Sequence, residues 1–158
     1  MEKLHKLLIN KSLTISTAES CTGGLLGHYF TNIPNSSQYY MGGIIAYNKC
    51  VKQNILQVPN NIELVSESCV LSMNEGLKNI ITSDIHISVT GYLGPGASRP
   101  ELSGIVFYSI LLLEIDHTFK LKIGDVDRQM AKEFIISNIL NNLYKIINNK
   151  FFLVEFLQ

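Results

Sequence analysis

A short polar segment near the start of the chain combines a hydroxyl, a thiol and small residues that could do chemistry. It reads Thr17-Ala18-Glu19-Ser20-Cys21-Thr22-Gly23-Gly24. The β-branched run over residues 13–17 predicts a strand before it, and the apolar run over residues 25–30 predicts a helix after it. A turn that opens a helix leaves backbone N–H groups unpaired. Those groups could bind a phosphate or stabilise a developing oxyanion.

Three interpretations of Ser20 remain open on the local sequence. It could be a nucleophile whose following N–H groups form an oxyanion hole. It could be one more donor in a cradle for a ligand phosphate. It could also be no more than the N-cap of the helix. Cys21 at the same helix N-terminus is a further candidate nucleophile, although a small buried cysteine is the more common case.

Residues further along the chain could supply a base and an anion contact. Tyr47 and Lys52 flank the start of a predicted helix, and a lysine that burial makes neutral can act as a base for serine. The alternative for Lys52 is a solvated helix lysine. Asp125 and Asp127 could be an acid–base pair or caps of the long helix that follows. Arg128 could bind an anion or remain a surface charge.

A loop rich in glycine and proline, residues 91–100, follows Thr90 at the end of a predicted strand. Bare backbone at Gly94 and Gly96 could approach a ligand closely, or the loop could be a tight turn without function. The four histidines are scattered and have no metal-ligand spacing. We therefore expect no metal site.

The elements that must position these residues alternate between helix and strand early in the chain and run as consecutive strands later. That order predicts a three-layer α/β/α sandwich with a mixed sheet. The apolar tail 151–157 is interpreted as an added edge strand or as a contact with a second subunit. The periodicity predicts helices over 2–11, 21–32, 49–56, 66–81 and 126–148, and strands over 12–18, 39–47, 85–90, 104–113 and 115–123.

Composition excludes several classes of partner. The formal net charge is zero, and no run of five basic residues occurs, so we expect neither nucleic acid nor an anionic membrane as a partner. The three cysteines form no CxxC pair, and no segment reads as a signal peptide or is long enough to span a bilayer. We expect a cytoplasmic protein that forms a single domain over residues 1–158.

Five motifs in order resemble those of the CinA C-terminal domain family, which includes stand-alone nicotinamide-nucleotide amidases. The resemblance covers roughly residues 5–147, and the string over residues 17–24 is its most specific part. The motifs are residues 17–24, Asn35-Ser36-Ser37, Tyr47-Asn48 with Lys52, Val89-Thr90-Gly91, and Gly94-Pro95-Gly96.

The resemblance implies hydrolysis of the carboxamide of nicotinamide mononucleotide to nicotinate mononucleotide and ammonia, with no metal and no cofactor. It also implies a small-molecule nucleotide substrate and a homo-oligomer, as a dimer or larger. Position by position, Ser20 matches the nucleophile and Lys52 its basic partner. The other polar residues of the family's site are matched by Tyr47, Ser37, Thr90 and Arg128.

The chemistry of amide hydrolysis fits the same residues. It needs a nucleophile, a proton shuttle for the departing ammonia and an oxyanion hole. Ser20 and Lys52, with Tyr47 as an alternative proton acceptor, would supply the first two. N–H groups near Thr22, Gly23 and Gly24 are the candidate oxyanion donors. The substrate phosphate would bind Arg128 and the glycine loop at Gly94 and Gly96.

The chain departs from the family pattern in three segments. Residues 97–105 lack the usual Lys-Pro, and the segment before Val65-Ser66 is shortened and lacks the usual His-Gly-Ala. Residues 124–128 lack one arginine of the usual pair. Two other functions therefore remain open. One is a non-catalytic nucleotide-binding or interaction module of the same fold, and the other is an amidase for a different amide substrate.

Overall fold

The computed structural model describes residues 1–93, 99–124 and 126–155. Its elements follow the predicted order. The helices are α1 (Glu2–Asn10), α2 (Leu25–Thr31), α3 (Lys49–Asn54), α4 (Glu67–Ile80) and α5 (Arg128–Glu155). The strands are β1 (Ile15–Glu19), β2 (Tyr40–Ile45), β3 (Ile85–Gly91), β4 (Ile105–Leu112) and β5 (Ile115–Lys122). Short 3₁₀ helices lie at Ser36–Gln38 and Pro100–Leu102.

The strands form one mixed sheet in the order β2-β1-β3-β4-β5. β1 pairs in parallel with β2 and β3, whereas β4 pairs antiparallel with β3 and β5. All of β1 and nearly all of β3 are buried, as central strands covered on both faces should be. The predicted mixed sheet is confirmed.

Two apolar clusters cover opposite faces of this sheet. On one face pack α1, α2 and α5, which bury Leu8 and Phe30 against the strands. On the other face packs α4, where Met73 belongs to a second cluster. Ile15 and Ala18 of β1 face different clusters, because side chains three positions apart on a strand point to opposite faces. The result is the predicted three-layer α/β/α sandwich.

The carboxyl ends of the parallel strands bring the predicted site residues to one edge of the sheet. Glu19 at the end of β1 pairs in register with Ile45 of β2 and Val89 of β3. Ser20 follows β1 directly, Tyr47 follows β2, and the end of β3 lies beside them. This edge is where open α/β sheets generally bind ligands.

The turn after β1 is built around the buried carboxylate of Glu19, which is 2% exposed. One oxygen accepts hydrogen bonds from Thr22 Oγ1 at 2.7 Å, Gly24 N–H at 3.0 Å and Leu26 N–H at 3.1 Å. The other oxygen accepts from Gly27 N–H at 2.8 Å. Glu19 therefore occupies the anion position that the N-terminus of α2 would otherwise offer.

The prediction that Ser20 caps the second helix is wrong, and so is the predicted start of that helix at residue 21. The N-cap is Gly24, with φ of 98°, and Gly23 before it has φ of 63°. Glycine adopts these left-handed conformations without a steric penalty. Because the turn takes these residues, α2 begins only at Leu25.

The tail of the chain continues α5 through Glu155. The interpretation of residues 151–155 as an added edge strand is therefore wrong, while residues 156–158 lie outside the described part. Apolar residues at this end satisfy a helical repeat as easily as a strand, so the sequence pattern alone does not distinguish the two. No described helix has both the length and the apolar character needed to cross a membrane.

A close approach between α4 and the end of α3 fixes the element that carries Lys52. A Cβ at Gly76 of α4 would lie 2.0 Å from the backbone oxygen of Leu56. The chain is held there by a hydrogen bond from Val58 N–H to Lys52 O at 3.0 Å. Only glycine at position 76 permits this contact.

We expect Gly76→Ala to lower the free energy of unfolding by about 2 kcal/mol. Alanine would favour the helix by about 1 kcal/mol, but the added Cβ meets backbone, which cannot rotate aside. Urea unfolding measures the change. Gly124→Ala is the matched control, since nothing in the described residues lies within 4 Å of its Cβ position, and we expect a change within about 0.5 kcal/mol. Equal effects of the two substitutions would contradict the packing argument.

We expect Glu19→Gln to lower the free energy of unfolding by about 3 kcal/mol, because an amide group cannot accept at both ends and leaves buried N–H groups unpaired. Thermal and urea unfolding measure the loss. Glu114→Gln removes a carboxylate that is 74% exposed and pairs with Lys78, and we expect it to cost less than about 1 kcal/mol. A loss at Glu19 no larger than that control would show that the carboxylate does not hold the turn.

Candidate active site

A cavity of about 300 Å³ opens at the carboxyl edge of the sheet. Its lining includes Ser20, Tyr47, Lys52, Thr90 and Arg128. These residues come from the ends of β1, β2 and β3, from the last turn of α3 and from the start of α5. The structure therefore brings these five residues together in one cavity. Their roles remain predictions.

Ser20 and Lys52 are in direct contact at the base of this cavity. Lys52 Nζ donates a hydrogen bond to Ser20 Oγ at 2.7 Å and another to Ala46 O at 2.7 Å. Ser20 N–H donates to Val89 O at 3.0 Å, which ties the residue to β3. The hydroxyl is thus held between the central strands and the amine.

Lys52 is 3% exposed, although it lies on a short helix whose other residues are half-buried or exposed. No carboxylate forms an ion pair with it in the described part of the chain. Burial lowers the pKa of Lys52, because desolvation disfavours the ammonium form. The alternative of a solvated helix lysine is therefore wrong.

The interpretation of Cys21 as an activated thiol does not agree with the structure. Burial raises the pKa of Cys21 to about 12, against a smaller lowering by the charges of Lys52 and Arg128. Cys69, buried on α4, also has a raised pKa, of about 11, for the same reason. Both thiols therefore remain protonated near neutral pH and poorly nucleophilic.

Arg128 connects the start of α5 to the rim of the cavity. Its Nη1 donates to Leu93 O at 2.7 Å and its Nη2 to the Tyr47 hydroxyl at 2.9 Å. Tyr47 is 59% exposed. Its hydroxyl therefore contacts the guanidinium, whereas the atom in contact with Ser20 Oγ is Lys52 Nζ.

The backbone donors near Ser20 differ from those that the sequence suggested. Gly23 N–H donates to Ser20 O at 3.1 Å, and Gly24 N–H donates to Glu19. These two groups are already used and do not fit the predicted oxyanion role. Within the described chain, the N–H groups of Cys21 and Thr22 donate to no other residue, and the Cys21 N–H contacts its own thiol.

The remaining predicted site residues fall in different places. Thr90 lines the cavity, but its hydroxyl donates to Leu64 O at 2.8 Å. Ser37 is exposed in the 3₁₀ helix before β2 and so lies at the amino edge of the sheet, away from Ser20. Gly94 and Gly96 lie outside the described residues.

The aspartates before α5 were predicted to be an acid–base pair or caps. Asp127 accepts hydrogen bonds from Gln129 N–H at 2.8 Å and Met130 N–H at 3.1 Å, which is the geometry of a helix cap. Asp125 lies outside the described residues. Among the described residues there is no group of three or more His, Cys, Asp or Glu that could hold a metal ion.

Sequence reasoning missed two residues near this edge, Glu19 and Lys132. A carboxylate at the end of a buried strand, followed within a few residues by a helix, is a signal that could have identified Glu19. Lys132 follows Arg128 by four residues and so lies on the same face of α5. The sequence shows this spacing, but it does not show that this face of α5 borders the cavity beside α2.

Comparison with known proteins agrees with this fold. A protein of the CinA superfamily from Klebsiella pneumoniae 700603 has a solved structure that superposes with a TM-score of 0.88 over 93% of this chain and 94% of that one. The sequence identity is 24%, so this likeness shows the fold.

Sequence relatives are closer. A CinA-like protein of Pseudothermotoga lettingae is 44% identical over 114 residues, 69% of this chain and 28% of the relative. A CinA-like protein of a Thermotoga species, strain RQ2, is 35% identical over 154 residues, 94% of this chain and 37% of the relative. The chain thus spans about a third of the length of these relatives. The model of the CinA C-terminal domain matches residues 1–147, and the chain belongs to the CinA C-terminal domain family.

Proposed function

We propose that this chain is a serine amidohydrolase that removes ammonia from the carboxamide of nicotinamide mononucleotide. The observation that carries the proposal is the contact of 2.7 Å between Ser20 Oγ and Lys52 Nζ. A buried lysine with a lowered pKa and no carboxylate partner in the described chain is suited to act as a neutral base.

The acylation step follows from this pair. Neutral Lys52 removes the Ser20 proton as Oγ attacks the carboxamide carbon, giving a tetrahedral intermediate. The ammonium of Lys52 then returns that proton to the departing nitrogen, and ammonia leaves an ester on Ser20. In the second half, Lys52 removes a proton from water, which attacks the ester carbon. The ammonium of Lys52 then returns that proton to Ser20 Oγ as the ester bond breaks, and the carboxylic acid product loses its own proton to solvent.

The developing oxyanion needs donors that the protein has not already used. Cys21 and Thr22 follow the proposed nucleophile directly, and in the described chain their N–H groups donate to no other residue. We assign the oxyanion hole to these two groups in place of Gly23 and Gly24. Donors fixed in a buried turn need no reorganisation during the reaction, which is the source of their catalytic value.

Arg128 gives the rim of the cavity a positive charge and holds the Tyr47 hydroxyl in place. A nucleotide substrate carries a phosphate that such a charge attracts. The ring of Tyr47 is exposed beside the cavity, so it offers a surface on which a pyridine ring can stack. These features support a nucleotide amide over a simple aliphatic amide.

A non-catalytic binding module is the less favoured alternative. Holding an unpaired lysine in a buried position destabilises a fold. A module that only binds a nucleotide has no need of that arrangement, because an exposed cation would attract a phosphate as well. The loss of stability that comes from burying Lys52 is explained if its amine serves as a base.

We expect Ser20→Ala to reduce kcat/KM by about a thousandfold or more, since it removes the nucleophile while leaving the substrate cavity intact. Ammonia release from nicotinamide mononucleotide measures the rate. Ser137→Ala is the matched control, because Ser137 is exposed on α5 and away from the cavity. If wild type releases no ammonia, or if Ser20→Ala retains full activity, the proposal fails.

We expect kcat/KM to rise with pH through the ionisation of Lys52. The neutral amine is the active form, so its fraction increases as pH passes the pKa of Lys52. Because burial lowers the pKa of Lys52, the rise should be centred below the ordinary lysine value of about 10.4. The pH dependence of ammonia release measures the profile.

Two substitutions test whether that profile belongs to Lys52. Lys52→Met and Lys52→Arg both remove a titratable base, and we expect each to lose at least about a hundredfold in kcat/KM. Lys49→Met alters an exposed lysine of the same helix and should leave the profile unchanged. An unshifted profile with high activity in Lys52→Arg would assign the proton transfer to another group.

A further inference from the structure

We propose that Lys132 and Arg128 form a subsite for the phosphate monoester of the substrate, in a second cavity beside the catalytic one. The choice of substrate class rests on the proposed function. Lys132 would then determine specificity for a nucleotide over the corresponding nucleoside.

The second cavity has a volume of about 670 Å³ and lies between the start of α2 and the first turns of α5. Gly23, Gly24, Arg128 and Lys132 are among its lining residues. Arg128 also lines the cavity that contains Ser20. The two cavities therefore adjoin at this arginine, and one elongated ligand could occupy both.

Lys132 extends over the turn that follows the nucleophile. Its Nζ lies 3.6 Å from the position that a Cβ would take at Gly23. Arg128 and Lys132 are four residues apart on α5, so their side chains lie on one face. The helix rise places Lys132 roughly 6 Å further along the groove from Arg128.

An external anion in this groove would rely mainly on side-chain cations, because most backbone N–H groups at the two helix starts already have partners. The N–H groups of Gly24 and Leu26 at the start of α2 donate to Glu19. Those of Gln129 and Met130 at the start of α5 donate to Asp127. Both helix ends are already neutralised by the protein's own carboxylates.

The balance of charge at the groove favours an anion. Lys132 and Arg128 face it, with His28 as a further titratable group. The one carboxylate among its lining residues, Glu133, accepts a hydrogen bond from the Tyr29 hydroxyl. Glu19 is buried beneath the turn. Within the described chain Lys132 has no ion-pair partner.

A phosphate monoester is the ligand class that fits this arrangement. It carries up to two negative charges and several acceptor oxygens, which can bind a guanidinium and an ammonium together. With the carboxamide at Ser20, the ribose would cross the boundary at Arg128 and place the phosphate near Lys132. The corresponding nucleoside would leave Lys132 without a partner.

The test measures binding in the Ser20→Ala background by calorimetry, with nicotinamide mononucleotide and nicotinamide riboside as probes. We expect Lys132→Gln to weaken mononucleotide binding by about tenfold to a hundredfold, the effect of losing one charge-assisted contact. Riboside binding should change less than about twofold. Lys132→Arg should restore most of the affinity, and Lys145→Gln, an exposed position on the same helix, should have no effect.

A second probe separates this proposal from the amidase proposal. Ribose 5-phosphate has a phosphate monoester but no amide, and we expect wild type to bind it in a manner that depends on Lys132. If ammonia is never released but this dependence holds, the amidase proposal fails and the subsite stands. If Lys132→Gln leaves mononucleotide and ribose 5-phosphate binding unchanged, or weakens riboside binding equally, the subsite is overturned.

Discussion

The buried carboxylate of Glu19 is the interaction on which the candidate active-site edge of this protein depends. It ends the central strand β1 and accepts four hydrogen bonds from the turn and the first residues of α2. An internal anion at that place fixes the direction in which the chain leaves the sheet, and therefore the position of Ser20. It also occupies N–H groups that would otherwise form a phosphate cradle, so an external anion would need other groups.

Lys52 is the second constraint. Whereas the hydrogen bonds of Glu19 stabilise the fold, the burial of the Lys52 amine destabilises it. Desolvation of its amine lowers the pKa of Lys52, and the contact with Gly76 helps to fix the helix that carries it. Lys52 contacts Ser20 but has no counter-charge in the described chain. The fold thus surrounds the Glu19 carboxylate with donors and lowers the pKa of the buried Lys52 amine.

Periodicity was enough to predict most elements, because apolar residues recur with the period of the structure that buries them. The ends were less certain. Helix α2 begins at Leu25 because Gly23 and Gly24 form a left-handed turn before it. Residues 151–155 continue α5, and their apolar pattern is compatible with either a helix or a strand, so it did not predict which would form. Ser20, Tyr47, Lys52 and Thr90 were brought to one edge as expected, since the carboxyl ends of parallel strands meet there.

The sequence by itself determined the layered fold, the motif order and the residue types available for chemistry, since these depend on local pattern. Only the tertiary structure decided the environment of each group. Burial shows that Lys52 is not a solvated surface lysine and that Cys21 is not a reactive thiol. Hydrogen bonds to Glu19 show that the N–H groups of Gly24 and Leu26 are already in use. Desolvation arises from residues distant in sequence, so no local window contains it. The bonds to Glu19 join near neighbours, but which donors reach it depends on the fold of the turn.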